Sequence, residues 1–239
     1  MDFKMRFTWH YSGSSGNLYT LSSGDHVLLI EAGVRMKAIR SAVWVPGLDG
    51  CLVTHAHGDH AKGVHDLMAK AVDCYMTKET ADMLDLKGHR LHIVEDSGDP
   101  PPKPPYKPFT IADFWTVLAF PTEHDIPGSV AYLISDGKDK CLFLTDSFYF
   151  RYLLKGINIL AIECNWSKQT LAPDLDPVVK KRLITSHFSL KNVLQFLDAN
   201  DLSRCRQIHL IHLSNGNSDE SMFTNAVRAA TGIPTYVAG

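Results

Sequence analysis

Between Thr54 and His60 the chain reads Thr-His-Ala-His-Gly-Asp-His, which puts four metal-binding side chains, His55, His57, Asp59 and His60, within six residues. They are too close in sequence to serve one tetrahedral ion from a regular helix or strand. A tight loop containing Gly58 lets them serve two. Imidazole and carboxylate without thiolate suit zinc, manganese or iron rather than a sulfur-held structural ion. The run before the motif, Gly50 to Thr54, is apolar and β-prone, and the run after it, Ala61 to Lys70, is helical in pattern. A buried strand therefore hands over to a helix at the motif, a common position for catalytic loops. The plainer alternative, a cluster of surface histidines, fits poorly with the hydrophobic strand that leads into it.

This heptapeptide resembles the metal-binding motif of the metallo-β-lactamase superfamily. The resemblance implies an α/β fold, the four-layer αβ/βα metallo-β-lactamase sandwich, with two metal ions at one edge and three further ligands downstream in the order His, Asp, His. Three positions match. His124 lies in a polar loop before the alternating strand at 129–135, Asp146 ends the apolar strand at 140–145, and His212 ends the strand at 207–212. By this resemblance His55, His57 and His124 take one ion, Asp59, His60 and His212 take the other, and Asp146 bridges both. Two divalent ions, zinc or manganese, form a Lewis-acid clamp that lowers the pKa of bound water toward ~7, so that hydroxide is the nucleophile. Asp59, holding the second ion, counts as catalytic. His209 competes with His212. Side chains alternate along a strand, so the two point to opposite faces and only one meets the metals.

Further strings are similar to the small single-domain nucleases of the WalJ/YycJ-like group. They are Ser12-Gly13-Ser14-Ser15-Gly16-Asn17, Ile162-Glu163-Cys164-Asn165, Ser186-His187-Phe188-Ser189, and His212-Leu213-Ser214 with Asn215 and Asn217. They span nearly the whole chain and imply phosphodiester hydrolysis, with DNA or RNA as the substrate. Two departures stand out. The Ser-His string continues Phe-Ser-Leu-Lys-Asn where the group carries a second His, and Trp166 follows Asn165 where the group carries a polar residue. His187 reads as a catalytic group that protonates the leaving oxygen or holds a phosphate, or as a capping residue before a helix with Ser189 as N-cap. Glu163 reads as a carboxylate that orients a loop or a ligating histidine, or as a surface acid at a strand end. The Gly/Ser loop either turns N–H groups toward an anion or is a plain turn. Lys180-Lys181-Arg182 is a phosphate rim or a solvated helix face. Rival substrates are small cyclic nucleotides, and lactones, thioesters or β-lactams. Iron redox chemistry is a further rival.

The ligand positions run from residue 55 to residue 212 of 239, so the whole chain is expected to form one domain. With 45% hydrophobic residues it can fill a core. The pattern predicts strands near 4–9, 18–22, 26–31, 51–54, 72–76, 91–94, 111–120, 129–135, 140–145, 158–163 and 207–212. Helices are expected near 34–43, 60–69, 78–85, 175–183, 189–198 and 219–230. Residues 95–108 hold six of the twelve prolines, which implies a stiff extended loop. That loop either lines the cleft or contacts a second subunit, leaving a homodimer open. The net charge of −2 argues mildly against tight non-specific DNA binding. No apolar run is long enough for a membrane span and the first residues form no signal core. Five scattered cysteines read as reduced thiols of a cytoplasmic protein.

Overall fold

A computed structural model describes residues 4–98 and 106–238. The first sheet runs β1 (Arg6–Tyr11), β2 (Leu18–Ser23), β3 (His26–Ile30), β4 (Gly50–Leu52), β5 (Cys74–Met76) and β6 (Leu91–Ile93), in that spatial order. The second orders β13 (Thr235–Val237), β12 (Gln207–Ile211), β11 (Ile159–Glu163), β10 (Lys140–Leu144), β9 (Val130–Ser135), β8 (Trp115–Pro121) and β7 (Phe109–Ile111). Within the sheets β3 to β6 are mutually parallel, as are β10 to β13.

Period-two alternation sorts the side chains. Leu28 and Ile30 of β3, with Ile159 and Ala161 of β11, enter the core between the sheets. Leu29 between the first pair faces α1 (Met36–Ala42), α3 (Val64–Ala69) and α4 (Lys78–Met83), which follow a short α2 (Gly58–Ala61). Leu160 and Ile162 face α6 (Leu190–Ala199) and α7 (Glu220–Thr231) on the outside of the second sheet. The remaining helix, α5 (Pro177–Ser186), precedes α6. Helix α6 repeats Leu190, Val193, Phe196 and Leu197, one apolar stripe at helical spacing. Its N-cap is Ser189, whose hydroxyl accepts from Asn192 N–H, a contact worth ~1 kcal/mol. The result is four layers, helix–sheet–sheet–helix, as the resemblance implies.

The expected strand 111–120 is two strands, because Ala112 and Asp113 both adopt left-handed φ and turn the chain between β7 and β8. The expected helix 60–69 breaks at Gly63, where a Cβ would stand 2.7 Å from both Ile39 and the Val34 carbonyl. Strand β13 was not expected; three residues beside a long parallel strand give little periodicity to read. Of the proline-rich segment, residues 99–105 lie outside the described residues. Its flanks pair, with Asp96 bridging Tyr106 and Lys107 N–H donating to the Glu95 carbonyl. Four cysteines are buried and all five are free thiols. Among the described residues no helix is long and apolar enough to cross a membrane.

His209 points into the inter-sheet side of β12, with ring centroids 4.9 Å from Phe7, 5.6 Å from Trp9 and 5.4 Å from Tyr236. Among the described residues neither ring nitrogen has a hydrogen-bond partner. Burial alone lowers its pKa from 6.5 to about 4. A depressed value means the unfolded chain takes the proton first. Stability from the neutral ring is therefore intact above 6.5 and is lost as pH falls toward 4, by up to about 3 kcal/mol. His209→Phe is expected to remove that part of the acid limb in urea unfolding at pH 7.5 and 4.5. Identical pH dependence in both proteins would refute it.

Candidate metal centre

The residues singled out by sequence converge where strands of both sheets end. After β4 the chain passes through Val53 and Thr54, whose N–H donates to the buried Glu31 carboxylate at 3.3 Å. It then turns at His57, the extended residue before α2. Gly33 makes room for this turn: a Cβ there would lie 1.6 Å from the Asp59 carbonyl oxygen. Asn17 secures the same carbonyl, donating from its backbone at 2.8 Å and its side-chain amide at 3.1 Å. His124 comes from the β8–β9 loop, Asp146 from just beyond β10 and His212 from just beyond β12. Glu31, Asp146 and His212 hold φ of 65°, 47° and 52°. Left-handed backbone costs a non-glycine residue ~1–3 kcal/mol and collects at functional sites.

Two groups of potential ligand atoms result. His57 Nδ1 lies 3.1 Å from His55 Nε2 and 3.2 Å from His124 Nε2. Asp59 Oδ2 lies 3.4 Å from both His60 Nε2 and His212 Nε2. Asp146 stands between the groups, its Oδ2 2.7 Å from His60 Nε2 and 3.2 Å from His55 Nε2. The outward nitrogens of His55 and His124 are hydrogen-bonded elsewhere, and that of His60 faces a carboxylate without a hydrogen bond among the described residues. His124 Nδ1–H donates to the Ser186 carbonyl at 3.1 Å, which leaves Nε2 as the lone pair. His55 Nδ1 meets Thr54 Oγ1 at 2.9 Å, and His60 Nδ1 lies 3.5 Å from Glu31 Oε1. Partners of this kind fix ring orientation and tautomer for a ligating histidine.

These residues fit metal ions. Three imidazole nitrogens aimed at one another cannot all be satisfied by protons, whereas one cation satisfies three lone pairs. Among the described residues buried Asp146 Oδ1 has no hydrogen-bond partner, although His187 Nδ1 and His212 Nδ1 each lie 3.3 Å from it. Burial lowers the pKa of His55, His57 and His124, holding them as neutral imidazole, the form that binds metal. Burial opposes charge on Asp59 and Asp146 too, but the facing His212 and His60 keep both carboxyls well below their ordinary range. His60 is raised despite its burial, by Asp146 and Glu31, and His212 likewise rises to about 9.

His187 joins this centre. It caps α5, and its Nδ1 lies 2.6 Å from Oε1 of Glu163, a fully buried residue at the end of β11. The other oxygen of Glu163 accepts from Ser147 and Phe188 N–H, both at 3.2 Å. Burial works against protonated His187, but Glu163 and Asp146 outweigh it and raise its pKa to about 11. The departure at Trp166 has a use, since its indole N–H donates to the His187 carbonyl. A cleft of ≈ 390 Å³ is lined by His57, Asp59, Asp146, His187, His212, Ser14 and Arg182.

All seven expected ligand positions and His187 thus meet in one place, while His209 lies apart. Of the basic run only Arg182 lines the cleft, held by Asp125 at 2.8 Å; Lys180 and Lys181 are exposed outside its lining. The Gly/Ser loop differs from an anion cradle: Gly13 N–H is taken by Asn17 Oδ1 and Gly16 N–H by the Gly13 carbonyl. Its Ser12 hydroxyl instead accepts from His212 N–H. Glu31 was missed, although an acid ending an apolar strand is the same signal that marked Asp146.

A family model described as "Beta-lactamase superfamily domain" matches residues 27–212. The exodeoxyribonuclease YycJ of Bacillus anthracis is 25% identical over 232 residues, covering 90% of this chain and 84% of that protein. The exodeoxyribonuclease WalJ of Streptococcus pneumoniae serotype 2 is 27% identical over 227 residues, covering 87% and 81%. The crystal structure of the metallo-beta-lactamase fold protein YhfI from Bacillus subtilis superposes with a TM-score of 0.73 at 18% identity, covering 98% of this chain and 96% of that one. With the family model matched across most of its length, this chain belongs to the beta-lactamase superfamily.

Proposed function

We propose that the chain, acting as one domain, is a dinuclear metal-dependent hydrolase that cleaves phosphodiester bonds of nucleic acid, DNA foremost. The observation that carries this reading is the Asp146 carboxylate between two groups of ligand atoms, at the floor of a cleft that His187 also lines. The two exodeoxyribonuclease relatives support the substrate. His55, His57 and His124 would hold one ion and Asp59, His60 and His212 the other, with Asp146 shared, zinc or manganese suiting this donor set. When bound, the ions supply Lewis-acid charge and an activated water.

The chain's own groups do the rest. Glu163 takes the Nδ1 face of His187 and fixes the ring. The proton on Nε2 is then the one available to a leaving alkoxide, which otherwise departs as a strong base. Arg182 sits at the cleft wall, where a phosphate competes with Asp125 for its guanidinium.

Metal analysis of the purified protein is expected to give two ions per chain at saturation. Chelation should abolish cleavage of labelled single-stranded DNA and lower the melting temperature, since ions that bind only the folded state stabilise it. Saturation at one ion, or undiminished cleavage after chelation, would remove the dinuclear reading. A panel of single- and double-stranded DNA, RNA and cyclic nucleotides separates the substrate classes.

A further inference from the structure

Beside the centre lies a second groove, of ≈ 270 Å³, that none of the chemistry above uses. Its walls include Phe148, Tyr149, Leu153 and Phe196, with the amide side chains of Asn192 and Gln195 and the guanidinium of Arg151. Tyr149 and Leu153 are 54% and 70% exposed, so two large apolar side chains face water here. The groove is tied to the centre twice over. Phe148 follows Asp146 by two residues, at most about 7 Å along the chain. Phe188, also in the wall, follows His187 directly. Asn192 Nδ2 donates to the Phe148 carbonyl at 2.7 Å, joining the α6 wall to the loop wall.

We propose that this groove is a stacking subsite for one unstacked nucleobase of a single-stranded substrate, about one or two nucleotides from the scissile phosphate. The proposal rests on the nuclease reading above. Three features favour a base. The volume is slightly below the roughly 300 Å³ at which pockets for drug-sized ligands begin, room for one ring system. The wall is aromatic, which suits any base face, and the Gln195 amide, with no hydrogen-bond partner among the described residues, can meet a base edge. Charge is complementary as well: Arg151, more than half exposed, has among the described residues one ion-pair partner, Glu123, the neighbour of His124. A duplex keeps its bases stacked and paired, so the subsite discriminates for single strands or frayed ends.

The test walks 2-aminopurine along a phosphorothioate single-stranded oligodeoxynucleotide bound to the intact protein. Stacking should quench its fluorescence at one or two adjacent positions. Tyr149→Ala should abolish that quenching and weaken binding by about 5- to 100-fold, with an unchanged log–log salt slope because no charge is lost. Tyr149→Phe should keep both. Binding without position-dependent quenching, or quenching that survives Tyr149→Ala, would overturn the subsite and leave the nuclease reading standing. Failure of the wild-type protein to bind or cut any oligonucleotide would overturn both. A change in sedimentation on Tyr149→Ala, without a change in oligonucleotide binding, would assign the groove to a second copy of the chain and overturn the proposal.

Discussion

Asp59→Ala is expected to lower phosphodiester hydrolysis by at least about a thousandfold, beyond the ~10–100-fold typical of losing a group that only orients a ligand. The carboxylate faces the ring nitrogens of His60 and His212 together and is the most solvent-accessible member of its group, with its side chain 24% exposed. Its loss leaves two imidazoles without their shared anion and opens the second ligand group. The fold should survive, because the Asp59 contacts that shape the loop are made by its backbone: the carbonyl accepts from Asn17 twice and packs on Gly33. Circular dichroism should be unchanged while bound metal drops from two ions toward one. Asp59→Asn, which keeps the shape but not the charge, should fall between the wild type and the alanine variant in metal affinity. Wild-type turnover in Asp59→Ala would dismiss the assigned role.

What the sequence makes legible here is the set of inward-facing groups. Asp146 and His212 end recognisable apolar strands and His55, His57, Asp59 and His60 sit in one dense loop, whereas His124, in a polar loop, and the division into two groups come from the resemblance. The outward partners were less legible, for a physical reason. Thr54, Glu31 and Ser186 act through a hydroxyl, a carboxylate and a backbone carbonyl that reach His55, His60 and His124 only after the chain has folded. Ser186 and His124 are 62 residues apart, and a carbonyl has no side chain to read. The left-handed backbone at Asp146 and His212 was equally silent, since neither residue is glycine. The Gly/Ser loop misled in the opposite direction. Its composition permits free N–H groups, but Asn17 turns back and consumes one of them. Lys180 and Lys181 share the sequence neighbourhood of Arg182 but not its helix face, which a run of three like charges cannot reveal.

His187→Ala is expected to lower kcat on an oligonucleotide by ~10²–10⁴-fold with little change in KM, the range of a positioned general acid. The same variant should cleave thymidine 5′-p-nitrophenyl phosphate almost normally, because nitrophenolate departs without a proton. A structural role would depress both substrates alike, and equal losses would eliminate the acid assignment. Glu163→Gln gives the pH test. In the wild-type protein burial opposes the imidazolium, but Glu163 and Asp146 overcome it and carry its pKa to about 11. Two divalent ions bound as proposed would shift this downward, since like charge disfavours the protonated ring; the sign of the Glu163 contribution is unchanged. Removing that carboxylate charge leaves burial less opposed, so His187 gives up its proton at lower pH. The alkaline limb of kcat for the oligonucleotide should therefore move to lower pH in Glu163→Gln, with the deficit largest at pH 8–9 and smallest near pH 6. The p-nitrophenyl ester should show no such movement. An alkaline limb that stays in place would mean that Glu163 holds the Ser147 and Phe188 amides and the local fold without tuning His187.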